Sequence, residues 1–82
     1  MNFKDLVNRA VSLIAMGNRE HILNSIQSWI LEDYILYVTD GNLDVNFLMR
    51  GAIGEILNNE KFKSVKNISQ IYEQLKHAQN SY

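Results

Sequence analysis

The sequence predicts an all-α fold, a small four-helix, bundle-like domain with short connections. Three observations predict this class. Apolar residues recur at helical spacing in four separate stretches of the chain. The 82 residues include no proline, so the strongest helix breaker is missing. The segments between the stretches are short, which favours antiparallel packing of consecutive helices.

The first two helices are predicted on either side of a stop at Gly17-Asn18. Both residues tolerate the left-handed backbone conformation that commonly ends a helix. The second helix is predicted from about Arg19 to Val38, with a stripe of isoleucines at residues 22, 26 and 30. The first helix is predicted over about residues 3–16, with its apolar positions at Phe3, Leu6, Val7, Ala10, Leu13 and Ile14.

The segment EDYILYVTDGNLDVNFLM, residues 32–49, fits two structures. One is a β-hairpin over residues 34–48. Leu43, Val45 and Phe47 alternate there with polar residues, as in a half-buried strand. Asp40-Gly41 is in addition a favoured two-residue hairpin turn.

The other structure is the end of the second helix, a turn over residues 39–44, and a third helix from Val45 to Leu57. Asp44 is well placed to be the N-cap of that helix. Leu43 before the cap could pack on Leu48, in the arrangement known as a hydrophobic staple. The helical pattern continues for three turns and outlasts the alternating one, so the third helix is the prediction.

The fourth helix is predicted after a charged connector that follows Asn58-Asn59. Ser64 or Asn67 is its predicted N-cap, and the tail from Gln79 is expected to fray. A chain of this length forms one domain at most, so residues 1–82 are predicted to be a single helical domain. The apolar positions of the fourth helix are Val65, Ile68, Ile71, Tyr72 and Leu75.

Composition argues against several kinds of site. There is no cysteine, and two histidines are too few for an ordinary histidine-rich metal site. No nucleophile–base pair and no phosphate-binding loop stands out, so we expect no enzyme activity, no metal and no cofactor. An Asp and an Arg interrupt the N-terminal apolar stretch, and no uncharged run approaches the ~18 residues of a membrane span. The expectation is a soluble, cytoplasmic protein.

Two glycines, Gly51 and Gly54, fall inside the predicted third helix. Each costs a helix interior about 1 kcal/mol relative to alanine. The interpretation is a close approach of another helix, from the same domain or from a partner.

Charge is unevenly distributed along the chain. Residues 20–49 contain five acids and no Lys or Arg, whereas residues 61–66 contain three lysines and no acid. The formal net charge of −1 lacks the basic excess expected of a nucleic-acid binder.

Residues 29–38, WILEDYILYV, carry an apolar surplus, since only Glu32 and Asp33 are charged. A helix that is apolar all round must be buried on several sides, and a small domain buries one broad stripe per helix. We therefore expect part of the surplus to stay exposed in the monomer. It is drawn from Trp29, Tyr34, Leu36 and Tyr37.

Exposed apolar patches mark contact sites, and Tyr and Trp are frequent in interface hot spots. The sequence therefore predicts a surface that binds another protein, with a basic partner matching its acids. The alternative left open is that the second helix is simply the central helix of the domain. The predicted partner-binding residues are Trp29, Glu32, Asp33, Tyr34, Tyr37, Asp40 and Asp44.

The chain's size, its lack of cysteine, its helical plan and the segment EDYILYVTDGNLD resemble the small helical immunity proteins that protect bacteria from their own secreted toxins. The resemblance is one of general character, with no diagnostic motif. It implies a cytoplasmic inhibitor that binds one toxin domain, often a nuclease, and blocks its active site. The four acids would meet the charge of the toxin's substrate site. The aromatic residues would anchor the contact or close a homodimer.

Two other functions remain open at this point. One is a small helical DNA-binding regulator that contacts phosphates through Lys61, Lys63, Lys66 and Lys76. The other is a scaffold or adaptor subunit of a larger complex, which the apolar surplus fits equally well.

Overall fold

The computed structural model describes residues 2–33 and 44–82. These ranges are all-helical, contain no strand, and pack five helices against one another. The all-α class is confirmed. Within these ranges the structure differs from the four-helix prediction by one short helix, which lies in the predicted charged connector. The helices are α1 (Phe3–Ala15), α2 (Ile22–Asp33), α3 (Val45–Leu57), α4 (Glu60–Lys63) and α5 (Ser69–Ser81).

The turn between α1 and α2 contains the predicted helix stop. Gly17 has φ +87°, in the left-handed region that ends helices readily. His21 also has a positive φ, of 60°, and this delays the start of α2 to Ile22 rather than Arg19. Residues 34–38 of the predicted second helix lie outside the described residues.

Helix α3 has the predicted bounds and the predicted N-cap. The side chain of Asp44 accepts a hydrogen bond from the backbone N–H of Phe47, at 3.0 Å. Val45 and Phe47 are helical, so the hairpin alternative is wrong for the strand that was to pass through them. The first strand of that alternative, its turn, and the staple residue Leu43 fall outside the described residues.

Helix α4 is a single turn that the sequence pattern did not indicate. Asn59 caps it by accepting hydrogen bonds from the N–H groups of Lys61 and Phe62, at 2.9 and 3.3 Å. The side chain of Phe62 is completely buried, and α4 packs on α1 and α3. A segment predicted to be a solvated connector therefore contributes to the core.

Helix α5 begins at Ser69, and neither predicted cap residue caps it. Its N-cap is Ile68, without a side-chain hydrogen bond, whereas Ser64 closes α4. Asn67 has φ +59°, so it belongs to a tight turn before the helix. The tail from Gln79, which was expected to fray, is part of the helix up to Ser81.

Contacts between side chains show how the longer helices run. Arg9 lies over the ring of Trp29, and the two residues are similarly far from the α1–α2 turn, so α1 and α2 are antiparallel. Arg50 of α3 donates a hydrogen bond to the carbonyl of Tyr82, while Leu57 shares a groove with Ile68. Helices α3 and α5 are therefore antiparallel as well.

Helix α3 runs in the same general direction as α1. The ring of Phe3 lies beside Gly51, and further along both helices Val7 and Asn8 line a groove with Glu55 and Asn59. The C-terminus of α2 and the N-terminus of α3 therefore lie at the same end of the domain. Helix α4 and the start of α5 lie at the opposite end.

The core draws on every helix and contains no buried polar or charged side chain among the described residues. In α3 the buried residues Met49, Ala52, Ile53 and Ile56 follow helical spacing, which leaves Phe47 on the opposite face. Burial of this apolar surface is the main favourable term in folding. The fully buried large side chains include Leu6, Ile14, Ile22, Ile26, Ile30, Ile53, Phe62 and Leu75.

One arginine joins two distant turns. The guanidinium of Arg19 donates hydrogen bonds to the backbone carbonyls of Lys66 and Asn67, and its Nε donates to the carbonyl of Ile14. The α1–α2 turn is thereby held against the turn that precedes α5.

The two glycines of α3 face side chains of the same domain. A Cβ at Gly51 would lie 3.4 Å from the ring of Phe3, and a Cβ at Gly54 would lie 3.0 Å from the Gln79 amide nitrogen. The predicted close approach is thus to α1 and α5.

Gly51→Ala should raise the free energy of unfolding by about 0.5–1 kcal/mol. The φ of Gly51 is not positive, and its new methyl group would meet Phe3 at ordinary van der Waals distance. Urea denaturation measures the difference. Gly17→Ala is the matched control of opposite sign, because its φ of +87° strains any side chain. A destabilised Gly51→Ala variant would mean that the Phe3 ring cannot accommodate the methyl group.

Candidate functional site

The structure describes part of the predicted partner-binding set. Trp29, Glu32 and Asp44 are described with their side chains, and Asp33 is the last residue of α2. Tyr34, Tyr37 and Asp40 lie outside the described residues. The described members flank residues 34–43 on both sides along the chain.

Glu32 and Asp44 are both exposed and lie at the same end of the domain. Glu32 is in the last turn of α2, and Asp44 precedes the first turn of α3. Asp44 uses a side-chain oxygen to cap α3, so its carboxylate is held in position by the helix start. A carboxylate that is fixed in this way can meet a cation with little further ordering.

Trp29 does not have the expected exposure. Its side chain is only 9% exposed and belongs to the core. The Arg9 guanidinium lies 4.4 Å from its ring centroid, a cation–π geometry that covers one face of the ring. In the free protein Trp29 therefore packs α2 on α1.

Two apolar residues that sequence reasoning did not select are exposed near the acids. Leu31 is 45% exposed beside Glu32, and Phe47 is 63% exposed within the first turn of α3. The exposure of Phe47 could have been predicted from the sequence, because Phe47 falls on the α3 face opposite Met49 and Ile53. We call Leu31, Glu32, Asp44 and Phe47 the acidic end.

The acidic end combines the two features that protein interfaces use. Carboxylates select a basic partner and speed its approach, whereas exposed apolar side chains provide the surface that is dehydrated on contact. Within residues 2–33 and 44–82, no group of three or more His, Asp or Glu side chains is placed to hold a metal ion.

The lysines of the DNA-binding alternative are divided between two places. Lys61, Lys63 and Lys66 are exposed on α4 and the turn after it, and we call these three residues the lysine end. Lys76 lies further along α5, with its ammonium 5.6 Å from the ring centroid of Tyr72. The acidic end and the lysine end lie at opposite ends of α3.

A groove of about 460 Å³ lies between α3, α4 and α5. Its lining includes Gly54, Leu57, Phe62, Ile68 and Tyr72, together with Lys63. Apolar side chains thus line about half of its surface, and the polar lining residues are Asn58, Lys63 and Gln79. We call it the α3–α5 groove.

None of the helices in the described ranges is long and apolar enough to cross a membrane. Comparison with known proteins found no matching family model, no matching curated protein and no matching solved structure.

Proposed function

We propose that the protein is a protein-binding module that recognises a basic surface on another protein, and that it serves as a cytoplasmic immunity protein inhibiting a bacterial toxin. The observation that carries the proposal is the acidic end. Two exposed carboxylates, Glu32 and Asp44, stand there with two exposed apolar side chains, Leu31 and Phe47. Residues 34–43 between them contribute Asp40 and two tyrosines in sequence.

The mechanism follows from this chemistry. A toxin that acts on nucleic acid needs a basic cleft to hold phosphates. The carboxylates of the acidic end would occupy that cleft in place of the phosphates, and long-range attraction would speed association. Phe47 and Leu31 would then exclude water from the contact. Inhibition results because the substrate and the acidic end compete for the same basic side chains of the cleft.

The first experiment is co-expression with the product of the adjacent reading frame, because immunity proteins are encoded beside their toxins. Growth should stop when that product is made alone and should be restored when this protein is made with it. Binding of the two purified proteins is then measured by calorimetry. Toxicity that this protein does not relieve would contradict the inhibitor function.

The acidic end is tested by the double variant Glu32→Lys, Asp44→Asn. Asparagine caps helices as well as aspartate does, so the start of α3 is retained while its charge is lost. Asp44→Lys would also remove the cap, so a loss of binding would then be indistinguishable from a loss of fold. We expect the affinity for the toxin to fall at least about tenfold, mainly through slower association.

The matched control is Lys61→Ala, Lys66→Ala, which alters charge at the opposite end of the domain. Its affinity should stay within about twofold of the unmodified protein, because a distant exposed charge is screened at physiological salt. An equal loss in both double variants would show that overall charge, rather than the acidic end, governs binding.

A DNA-binding regulator remains the second candidate, favoured by the three exposed lysines of the lysine end. Titration of labelled duplex DNA separates the two functions. A phosphate binder loses affinity steeply as salt is raised, and the Lys61→Ala, Lys66→Ala variant would weaken it. A scaffold subunit, the third class, would assemble with other chains without relieving toxicity.

A further inference from the structure

The α3–α5 groove has a chemistry opposite to that of the acidic end. Lys63 lines it, and Lys76 extends from the same stripe of α5 that brings Ile68 and Tyr72 to the groove. No carboxylate is among its lining residues in the described part of the chain. Leu57, Ile68 and Tyr72 are only partly buried there, so apolar surface remains accessible.

This surface fits an occupant that carries an apolar side chain beside acids. Such a feature is present on the protein itself, because Phe47 is 63% exposed and stands three residues after Asp44, with Glu32 at the same end. The carboxylates of the acidic end are complementary in charge to the lysines of the groove edge, and both features carry accessible apolar side chains.

The acidic end cannot reach the groove of its own chain. Both features lie on α3, and the distance from Phe47 to Leu57 along the helix is roughly 15 Å. Contact between the two features therefore requires two molecules.

We propose that a second copy of this chain occupies the α3–α5 groove, with Phe47 of each copy inserted among Leu57, Ile68 and Tyr72 of the other. The acids of the inserted end meet Lys63 and Lys76. Each copy has one acidic end and one groove, at opposite halves of α3. A twofold axis between antiparallel α3 helices satisfies both contacts at once and closes the assembly as a dimer.

The dimer has a consequence for the proposed function. It covers the acidic end, so a basic partner must compete with the groove for Glu32, Asp44 and Phe47. The stored form is then the dimer, and the inhibitory form is the monomer that the partner captures. This consequence rests on the proposed function, whereas self-association does not.

The test is sedimentation equilibrium of the full chain over a range of protein and salt concentrations. The unmodified protein should form dimers that dissociate as salt is raised, because exposed charge pairs are screened. Phe47→Ala should raise the dimer dissociation constant at least about tenfold, as loss of an aromatic anchor does at interfaces. Leu31→Ala, at the same end but outside the groove contact, should change it less.

A charge exchange makes the test specific. Lys63→Glu, Lys76→Glu should be monomeric alone, and Glu32→Lys, Asp44→Asn should also be monomeric alone. An equimolar mixture of the two variants should recover a dimer, because one contact is then native and the other pairs the lysine introduced at position 32 with the two introduced glutamates. Circular dichroism checks that each variant keeps its helices.

Three results would overturn the proposal. They are a monomer at every concentration of unmodified protein, a dimer unaffected by Phe47→Ala and the charge variants, and a mixture that stays monomeric.

Toxin binding by Lys63→Glu, Lys76→Glu separates the dimer proposal from the inhibitor proposal, since that variant keeps its acidic end. Partner binding by a monomeric unmodified protein would overturn the dimer alone. A dimer without partner binding would overturn the inhibitor function alone.

Discussion

Replacing Phe62 with alanine should lower the free energy of unfolding by about 3–5 kcal/mol. The ring is completely buried and belongs to a helix of a single turn, which has too few hydrogen bonds to form by itself. Its loss leaves a cavity where α4 meets α1 and α3. Small domains are stable by only about 5–15 kcal/mol, so this one change consumes a large part of the total. Urea denaturation followed by circular dichroism measures the effect.

Lys61→Ala is the control for Phe62→Ala, because it alters an exposed residue of the same short helix. Its effect should stay within about 0.5 kcal/mol. Phe62→Leu fills part of the cavity and should fall between the two. Equal stability of the Phe62→Ala and Lys61→Ala variants would show that α4 is not part of the cooperative core.

The bounds of α3 were predicted correctly because both depend on local sequence signals. Its start depends on an aspartate directly before an apolar pattern, and its end follows where the pattern stops at Leu57. Both signals lie within the helix or one residue from it. The carboxylate of Asp44 caps α3 through a hydrogen bond to a backbone group only three residues away. No knowledge of the tertiary structure is needed for such a boundary.

Helix α4 was not predicted because its formation depends on tertiary contacts. Residues 60–63 are too few to show helical periodicity, and three of the four are charged. What makes them helical is the Asn59 cap together with the burial of Phe62 against other elements. The start of α5 is similar, because its preceding turn is held by Arg19 from a position 47 to 48 residues earlier in the chain.

The sequence predicts which charged residues of the candidate site are exposed, but it does not predict which apolar residues are. Acids rarely enter a core, so the exposure of Glu32 and Asp44 follows from residue type. The exposure of an aromatic residue depends on which neighbours surround its helix face. Trp29, one of four residues from which exposed surface was expected, is buried, whereas Phe47 was not selected and is exposed.

Trp29→Ala should also cost about 3–5 kcal/mol of stability, as loss of a large core side chain does. The ring is 9% exposed and packs between α2 and α1 beneath the Arg9 guanidinium. It is the only tryptophan in the chain, so unfolding is followed by circular dichroism rather than fluorescence. Arg9→Ala should cost only about 0.5–1 kcal/mol, because the cation–π contact lies at the surface.

The same variants decide between a core role and an anchoring role for Trp29. Trp29→Phe keeps most of the buried ring and should retain the fold, so partner affinity can be measured on it without an unfolding artefact. If Trp29 is a core residue, Trp29→Phe should leave this affinity unchanged and lower the stability moderately. If Trp29 is an anchor, Trp29→Phe should lower the affinity and leave the fold stable. The buried ring and its arginine cover favour the core role, which leaves Phe47 and Leu31 as the exposed apolar contacts of the acidic end.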